Sequence, residues 1–171
     1  VYGVVYYLPP QVGRLIGLEV GFVDGLVPTL PWGCAMLASY VLPRLAERLD
    51  RRRLVASLTM LAAAIGVSLS SLLSSMPLLA LAALCLAVAG FIAVQPLFWT
   101  LPAGYLRGAA AASGLALVNM LGALAGFVSP LYRLRAETHF GAGAGLLAIG
   151  LTTAIGALMI ALAGPVVGRT A

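Results

Sequence analysis

Residues 43–53 read Pro-Arg-Leu-Ala-Glu-Arg-Leu-Asp-Arg-Arg-Arg. This charged segment separates two apolar stretches, each long enough to cross a bilayer. It holds five of the chain's ten basic residues and two of its five acidic ones, namely Arg44, Glu47, Arg48, Asp50, Arg51, Arg52 and Arg53. Because arginine-rich loops stay on the cytoplasmic side of a membrane, the charged segment predicts the orientation of the stretches around it.

The composition predicts an integral membrane protein. Hydrophobic residues make up 62% of the 171 residues and charged residues only 9%. A soluble domain carries roughly 25% charged residues, and even a large core leaves much surface to cover. The net charge of +5 fits a membrane topology facing anionic headgroups. The arginines are scattered without interleaved aromatic residues, so nucleic acid is not an expected partner.

Six apolar segments are candidate membrane spans. They cover residues 1–17, 25–42, 54–74, 78–101, 109–129 and 142–167. With the charged segment in the cytoplasm, seven arginines fall inside and three, namely Arg14, Arg133 and Arg135, fall outside. Six crossings place both ends of the chain in the cytoplasm. We expect a multi-pass protein of the bacterial inner membrane, and a fragment, since the first segment already begins inside an apolar run.

Residue types that carry catalytic or metal chemistry are sparse. All five acidic residues lie in loops or at span ends, and the single histidine, His139, falls in a polar outer loop predicted over residues 133–139. Cys34 and Cys85 lie inside apolar segments, where cysteine behaves as a small hydrophobic residue. We therefore expect no disulfide, metal site or cofactor. With no nucleophile site or glycine-rich phosphate loop either, an enzyme is not expected.

Several motifs resemble the C-terminal half of a known transporter family. They are Gly25-Leu-Val-Pro-Thr-Leu-Pro31, the charged segment, Gln95-Pro96-Leu-Phe98-Trp99-Thr-Leu-Pro102, the run from Gly108 to Asn119, and Gly122-Ala-Leu-Ala-Gly126-Phe-Val-Ser-Pro130. Together they are similar to the seventh to twelfth helices of major facilitator superfamily transporters, in the anion:cation symporter branch. Pro43, Glu47 and Asp50 depart from that pattern, since they stand where the family has a glycine, an aspartate and a second glycine.

The resemblance implies an all-α fold in which residues 1–171 form one bundle of six transmembrane helices, built from 3+3 inverted repeats. A further N-terminal six-helix bundle would complete the transporter. The implied function is proton-coupled uptake of a small organic anion, a sugar acid or an aromatic or carboxylic acid, by alternating access. Two alternatives remain open: a drug/proton antiporter of the same fold, and a truncated membrane scaffold that does not transport.

Gln95, Phe98, Trp99 and Asn119 are the candidate cavity residues. Asn119 lies ten residues into its segment, which places it about 15 Å deep, near the middle of the bilayer. A carboxamide there needs a partner, so Asn119 either joins helices or lines the substrate cavity that the resemblance implies. Gln95 poses the same choice. Trp99 either belongs to an interfacial aromatic belt or faces the cavity.

Two further groups have structural roles in this interpretation. Gly122 and Gly126 are spaced four apart, where two membrane helices can approach closely, so we expect helix packing there. The charged segment anchors the topology. It also permits pairing of Glu47 and Asp50 with neighbouring arginines, as a clasp that holds the cytoplasmic helix ends together in one conformational state.

Overall fold

The computed structural model describes residues 29–105, 109–141 and 143–163. Five helices follow one another along the chain: α1 (Thr29–Arg48), α2 (Arg52–Leu72), α3 (Pro77–Tyr105), α4 (Ala109–Phe140) and α5 (Ala144–Leu162). The described ranges contain no strand. The all-α prediction is confirmed.

Four of these helices are long and apolar enough to cross a membrane, and they match the third to sixth predicted spans. The qualifying stretches are Arg52–Leu72, Pro77–Leu101, Ala111–Phe140 and Ala144–Leu162. Helix α1 covers the described part of the second predicted span. The first predicted span lies outside the described residues. The chain is a multi-pass membrane protein, and the count of six spans stays a prediction.

The charged segment is mostly helical, which corrects the prediction of a loop over residues 43–53. Helix α1 continues through Pro43 to Arg48, and α2 begins at Arg52, so only residues 49–51 lie between them. Leucine, alanine, glutamate and arginine favour helix, and they follow Pro43 directly. Ala46 is fully buried in a core cluster with residues of α2 and α3. This packing favours the continuation of helix α1 beyond Pro43.

The polar loop predicted after Pro130 is also helical. Helix α4 runs through Pro130 to Phe140, so the predicted loop over residues 133–139 forms its last two turns. A proline removes one backbone hydrogen bond, and strong helix formers after it can carry a membrane helix onward. Helix α4 ends instead just before Gly141, and Gly141 and Gly143 have positive φ angles of 91° and 96°. Glycine adopts this left-handed conformation without steric cost.

Helix α2 packs against α3 on one side and α5 on the other, and α1 packs against α3. Small residues let these backbones approach. A Cβ atom built on Gly66 of α2 would lie 2.7 Å from the Ala83 carbonyl oxygen of α3, and one on Gly90 of α3 would lie 2.8 Å from the Thr59 carbonyl oxygen of α2. Such close approach is typical of membrane helices that pack through small residues.

Helix α4 has a different environment. It contacts α5 and touches α3 only lightly. Residues 111–132 include no buried residue, and large side chains such as Leu117, Leu124 and Phe127 are exposed. Within the described ranges, α4 is anchored to the bundle by its last turns.

Candidate functional site

The candidate residues of α3 share one exposed face of the helix. Gln95 and Trp99 are four residues apart and both are exposed, and Phe98 is half-buried beside them. The Phe98 and Trp99 rings meet edge to face, with centroids 5.7 Å apart. Val94 and Leu97 point the other way, into the core cluster shared with α1 and α2. These three residues thus lie close together on α3, and their role in a substrate cavity stays a prediction.

Asn119 lies on α4 and is exposed. Since α3 and α4 touch only lightly, the described residues do not bring Asn119 together with Gln95 or Trp99 into one pocket. Its role in a cavity stays a prediction. Because Asn119 is exposed among the described residues, a ligand or a further helix could reach it.

The predicted packing glycines are not where the described helices meet. A Cβ atom on Gly122 would have no neighbour within 4 Å among the described atoms, and Gly126 is half-buried. Their packing role stays a prediction. The glycines that lie against the backbone of a neighbouring helix include Gly66, Gly90 and Gly150, which the sequence interpretation missed. The signal was available as small residues recurring every three or four positions in α3, at Ala80, Ala83, Ala87 and Gly90.

The charged segment forms an exposed junction between α1 and α2. Arg52 Nη2 lies 3.8 Å from Glu47 Oε1, with 49% and 66% of the side chains exposed. The Arg44 guanidinium carbon lies 3.3 Å from the centre of the Tyr40 ring, an arrangement in which the ring face attracts the cation. Arg48 and Arg51 are exposed and Arg53 is half-buried. Exposed ion pairs contribute little stability, so this junction adds little to the stability of the bundle.

Asp50 has a φ angle of 50°, in the left-handed region. It stands where the family pattern has its second glycine. Aspartate is one of the few non-glycine residues that visit this region readily. The departure from the family sequence therefore keeps the glycine-like backbone of the turn between α1 and α2.

A buried ion pair lies at the far end of α4, where the sequence predicted a solvated loop. Arg133 is only 5% exposed, and its Nε donates to Glu137 Oε1 at 2.8 Å. The pair lies against Gly145 of α5, where an added Cβ atom would come within 2.7 Å of Glu137 Oε1. The i, i+4 spacing of opposite charges was the sequence signal for this helical pair. Arg133 and Glu137 thus dock α4 on α5.

A shallow groove of about 440 Å³ runs beside this pair, between the end of α4 and the start of α5. The residues that line it include Tyr132, Arg135, His139, Phe140 and Leu147, and its surface is mostly apolar. His139 is exposed, as predicted from the sequence. Among the described residues, no group of three or more histidine, cysteine, aspartate or glutamate side chains is arranged to hold a metal ion.

Comparison with known proteins identifies the family. A family model described as Major Facilitator Superfamily matches residues 1–130. The chain is 47% identical over 161 residues to the inner membrane transport protein RhmT of Escherichia coli (strain K12), covering 94% of the chain and 37% of that protein. It is 32% identical over 133 residues to a quinolone resistance transporter of Acinetobacter baumannii, covering 76% of the chain and 30% of that protein.

A putative tartrate transporter of Agrobacterium vitis is 32% identical over 124 residues, which are 71% of the chain and 26% of that protein. The chain therefore spans about a third of the length of these relatives. No solved structure matches it. Because the family model covers residues 1–130, which are most of the chain, the chain belongs to the Major Facilitator Superfamily of membrane transporters.

Proposed function

We propose that this chain is part of a secondary active transporter that takes up a small organic anion, a sugar acid or an aromatic or carboxylic acid, with protons as the coupling ion. The relatives are transport proteins rather than enzymes. The name of the Agrobacterium vitis relative, a putative tartrate transporter, supports the organic-anion class. Because the chain spans about a third of its relatives, the proposal concerns the whole transporter.

The exposed face of α3 is the observation that carries this proposal. Gln95 places a carboxamide on an otherwise apolar helix, with Trp99 one turn further along and Phe98 between them. A polar group facing hydrocarbon without a partner is costly, whereas the same group facing a water-filled cavity is solvated. We assign this face, together with Asn119 on α4, to the cavity wall, where amides would bind substrate oxygens and the indole would stack.

The charges needed for the cycle are assigned to the other bundle. Within the described part of the chain, every arginine and every acidic residue lies within about two turns of a helix end or in a turn, and the buried Arg133 is already paired with Glu137. These residues are Arg44, Glu47, Arg48, Asp50, Arg51, Arg52, Arg53, Arg133, Arg135 and Glu137. A carboxylate substrate is bound best by a buried cation, and proton coupling needs a group that titrates inside the membrane. Both would come from an N-terminal six-helix bundle that rocks against this one.

The proposed orientation places the charged segment and both chain ends in the cytoplasm of a bacterial cell, with the transporter in the inner membrane. Arginine-rich segments near helix ends favour the cytoplasmic side. The Escherichia coli relative is named an inner membrane protein. A single cysteine at residue 50 tests this: a membrane-impermeant reagent added to whole cells is expected to leave it unlabelled. External labelling there would overturn the topology.

Transport itself is tested in liposomes that contain the full-length protein. With the outside acidic, we expect labelled tartrate, a sugar acid or an aromatic acid to accumulate, and a protonophore to abolish the accumulation. Gln95→Leu is expected to lower uptake. Its matched control is Leu86→Met, an exposed position on α3 that keeps its apolar character. If no organic anion accumulates under either gradient direction, the substrate class is wrong.

A drug/proton antiporter is the second candidate, favoured by the 32% identity to a quinolone resistance transporter. The same liposomes distinguish the two, because an antiporter accumulates a quinolone when the inside is acidic and ignores organic anions. A membrane scaffold would move neither compound under either gradient.

A further inference from the structure

The groove between the end of α4 and the start of α5 combines cationic or hydrogen-bonding side chains with apolar ones. Arg135 and His139 line it, and their spacing of four residues places them about one turn apart on the same side of α4. Phe140 of α4 and Leu147 of α5 line it as well, and the surface is mostly apolar. All four residues are exposed. The groove therefore offers hydrogen-bond donors and apolar contacts to the same molecule.

The groove favours a negatively charged group. None of the described residues that line it is acidic. Glu137, the nearest acidic residue along the chain, accepts a hydrogen bond of 2.8 Å from the buried Arg133, which offsets its charge. Arg135 keeps its positive charge at any physiological pH, and its guanidinium group suits phosphate and carboxylate oxygens. The ammonium group of a zwitterionic lipid would find no carboxylate among these lining residues.

The groove also lies at one end of two membrane spans. These spans are Ala111–Phe140 and Ala144–Leu162, and the groove lies where the first ends and the second begins. Tyr132 lines it too, and tyrosine is enriched at the level of lipid headgroups. Ala148 lies on the second turn of α5, so the apolar lining extends from the headgroup level toward the hydrocarbon.

We propose that this groove binds one anionic phospholipid, whose phosphate contacts Arg135 and His139 while part of an acyl chain lies against the apolar lining. Its volume of about 440 Å³ falls within the range of roughly 300–1,000 Å³ that is typical of small-molecule sites. That volume accommodates a headgroup and the adjoining part of one chain. A free anion would use only the polar contacts, whereas a phospholipid fills both parts of the groove.

The lipid would join the two helices at the place where α4 is anchored. Helix α4 packs on α5 with Arg133 and Glu137 in its last two turns, and residues 111–132 of α4 include no buried residue. A molecule that contacts the end of α4 and the start of α5 together therefore adds to the docking of this helix.

Photo-crosslinking of the full-length protein in liposomes tests the site. The probe is a phosphatidylglycerol analogue with a diazirine on its acyl chain near the glycerol, and peptide mapping locates the attached lipid. We expect attachment to concentrate within residues 132–148. Unlabelled phosphatidylglycerol should compete with the probe, phosphatidylethanolamine should compete roughly fivefold less effectively, and inorganic phosphate should not compete.

Variants separate the charge of the groove from its shape. Arg135→Gln should lower attachment within residues 132–148 by roughly fivefold, whereas Arg135→Lys should retain most of it because lysine also binds phosphate. Arg51→Gln, at an exposed position in the turn between α1 and α2, is the matched control and should leave attachment there unchanged. Ala148→Phe keeps every charge but fills the groove, so it should also lower attachment.

Four results would overturn the proposal. Phosphatidylethanolamine competes as well as phosphatidylglycerol, or Arg135→Gln and Arg51→Gln give the same attachment within residues 132–148. Inorganic phosphate displaces the probe, which would make the groove a site for a free anion. Arg135→Gln changes the oligomeric state in native mass spectrometry and not the attachment of lipid, which would identify a second copy of the chain as the occupant.

Discussion

Apolar membrane helices have two contrasting environments in this structure, at the interface between α2 and α3 and on the surface of α4. Where α2 meets α3, Gly66 and Gly90 bring the backbones so close that an added Cβ atom would lie within 3 Å of the neighbouring helix. On α4, residues 111–132 include no buried side chain, and Gly122 has open space around it. Similar apolar composition thus produces a tight contact in one region and a bare surface in the other.

This difference distinguishes the helices that stabilise the bundle by close packing from a helix that contributes little packing among the described residues. Apolar surface is at no disadvantage in lipid, so helix association depends on close packing, which only small residues permit. The contacts of α2, α3 and α5 supply that packing. Among the described residues, positions 111–132 of helix α4 include no buried residue, and Asn119 lies within this uncovered part.

The strongest test of this comparison replaces a glycine in each region by leucine. Gly66→Leu is expected to lower the free energy of unfolding by about 3 kcal/mol, because its side chain must displace the backbone of Ala83 and Ala87. Gly122→Leu is expected to change it by less than about 0.5 kcal/mol. Thermal unfolding of the full-length protein in detergent, followed by size-exclusion chromatography, measures both.

Gly66→Ala serves as the graded control, since a single methyl group should produce a smaller loss than leucine. If Gly122→Leu destabilises the protein as much as Gly66→Leu, then Gly122 packs against a segment outside the described residues. The packing role expected from its spacing with Gly126 would then hold after all.

Asn119→Leu tests whether the exposed surface of α4 takes part in transport. Loss of a hydrogen bond between this carboxamide and a polar substrate should lower uptake by roughly tenfold or more, corresponding to about 1.5–3 kcal/mol. Membrane abundance should not change, because Asn119 is exposed and the described helices do not pack on it. Initial uptake rates in liposomes, normalised to protein, provide the measurement.

Thr152→Val is the matched control for Asn119→Leu. Thr152 is an exposed polar residue of α5 whose hydroxyl donates to its own helix, at 3.0 Å from the Ile149 carbonyl oxygen. Its removal should leave uptake unchanged. Wild-type uptake by Asn119→Leu would contradict the cavity assignment, and loss of the protein from the membrane would make Asn119 structural.

The existence of the helices could be predicted from the sequence, but two of their ends could not. Long apolar stretches specify spans almost by length alone. Charged residues suggested loops at residues 43–53 and 133–139, yet both stretches are rich in helix formers. Ala46 is buried between helices, and Arg133 pairs with Glu137 one turn along α4. Helix propensity and tertiary contacts outweighed charge in both places.

The proximity of candidate residues could be predicted only where they share one helix, and their role in a cavity stays a prediction. The spacing of Gln95, Phe98 and Trp99 places them on a common face of α3 before any tertiary contact is known. The packing glycines were hard to distinguish because the chain contains 20 glycines.

Asp50 offers a smaller test, at the exposed turn between α1 and α2. Asp50→Val is expected to lower the free energy of unfolding by about 1–2 kcal/mol, because a β-branched residue tolerates the left-handed conformation poorly. Asp50→Gly, the residue of the family pattern, should be the least disturbing change, with Asp50→Asn close to it. Shifts of the thermal midpoint rank the three variants. If valine is tolerated as well as glycine, then the φ angle of 50° does not constrain this turn.

The smallest expected effect comes from the exposed ion pair between α1 and α2. Glu47→Gln removes the partner of Arg52 at 3.8 Å, and with both side chains about half exposed or more, the loss should be about 0.2–1 kcal/mol and should shrink at high salt. The matched comparison is Glu137→Gln, which removes the carboxylate that pairs with the buried Arg133 and should cost more, about 1–3 kcal/mol.

Thermal midpoints at low and high salt measure stability, and uptake rates measure function. A clasp that acts only in one conformational state predicts that Glu47→Gln alters the uptake rate while leaving the thermal midpoint almost unchanged. If uptake and midpoint both stay at their parental values, the charged segment orients the helices in the membrane and has no part in gating.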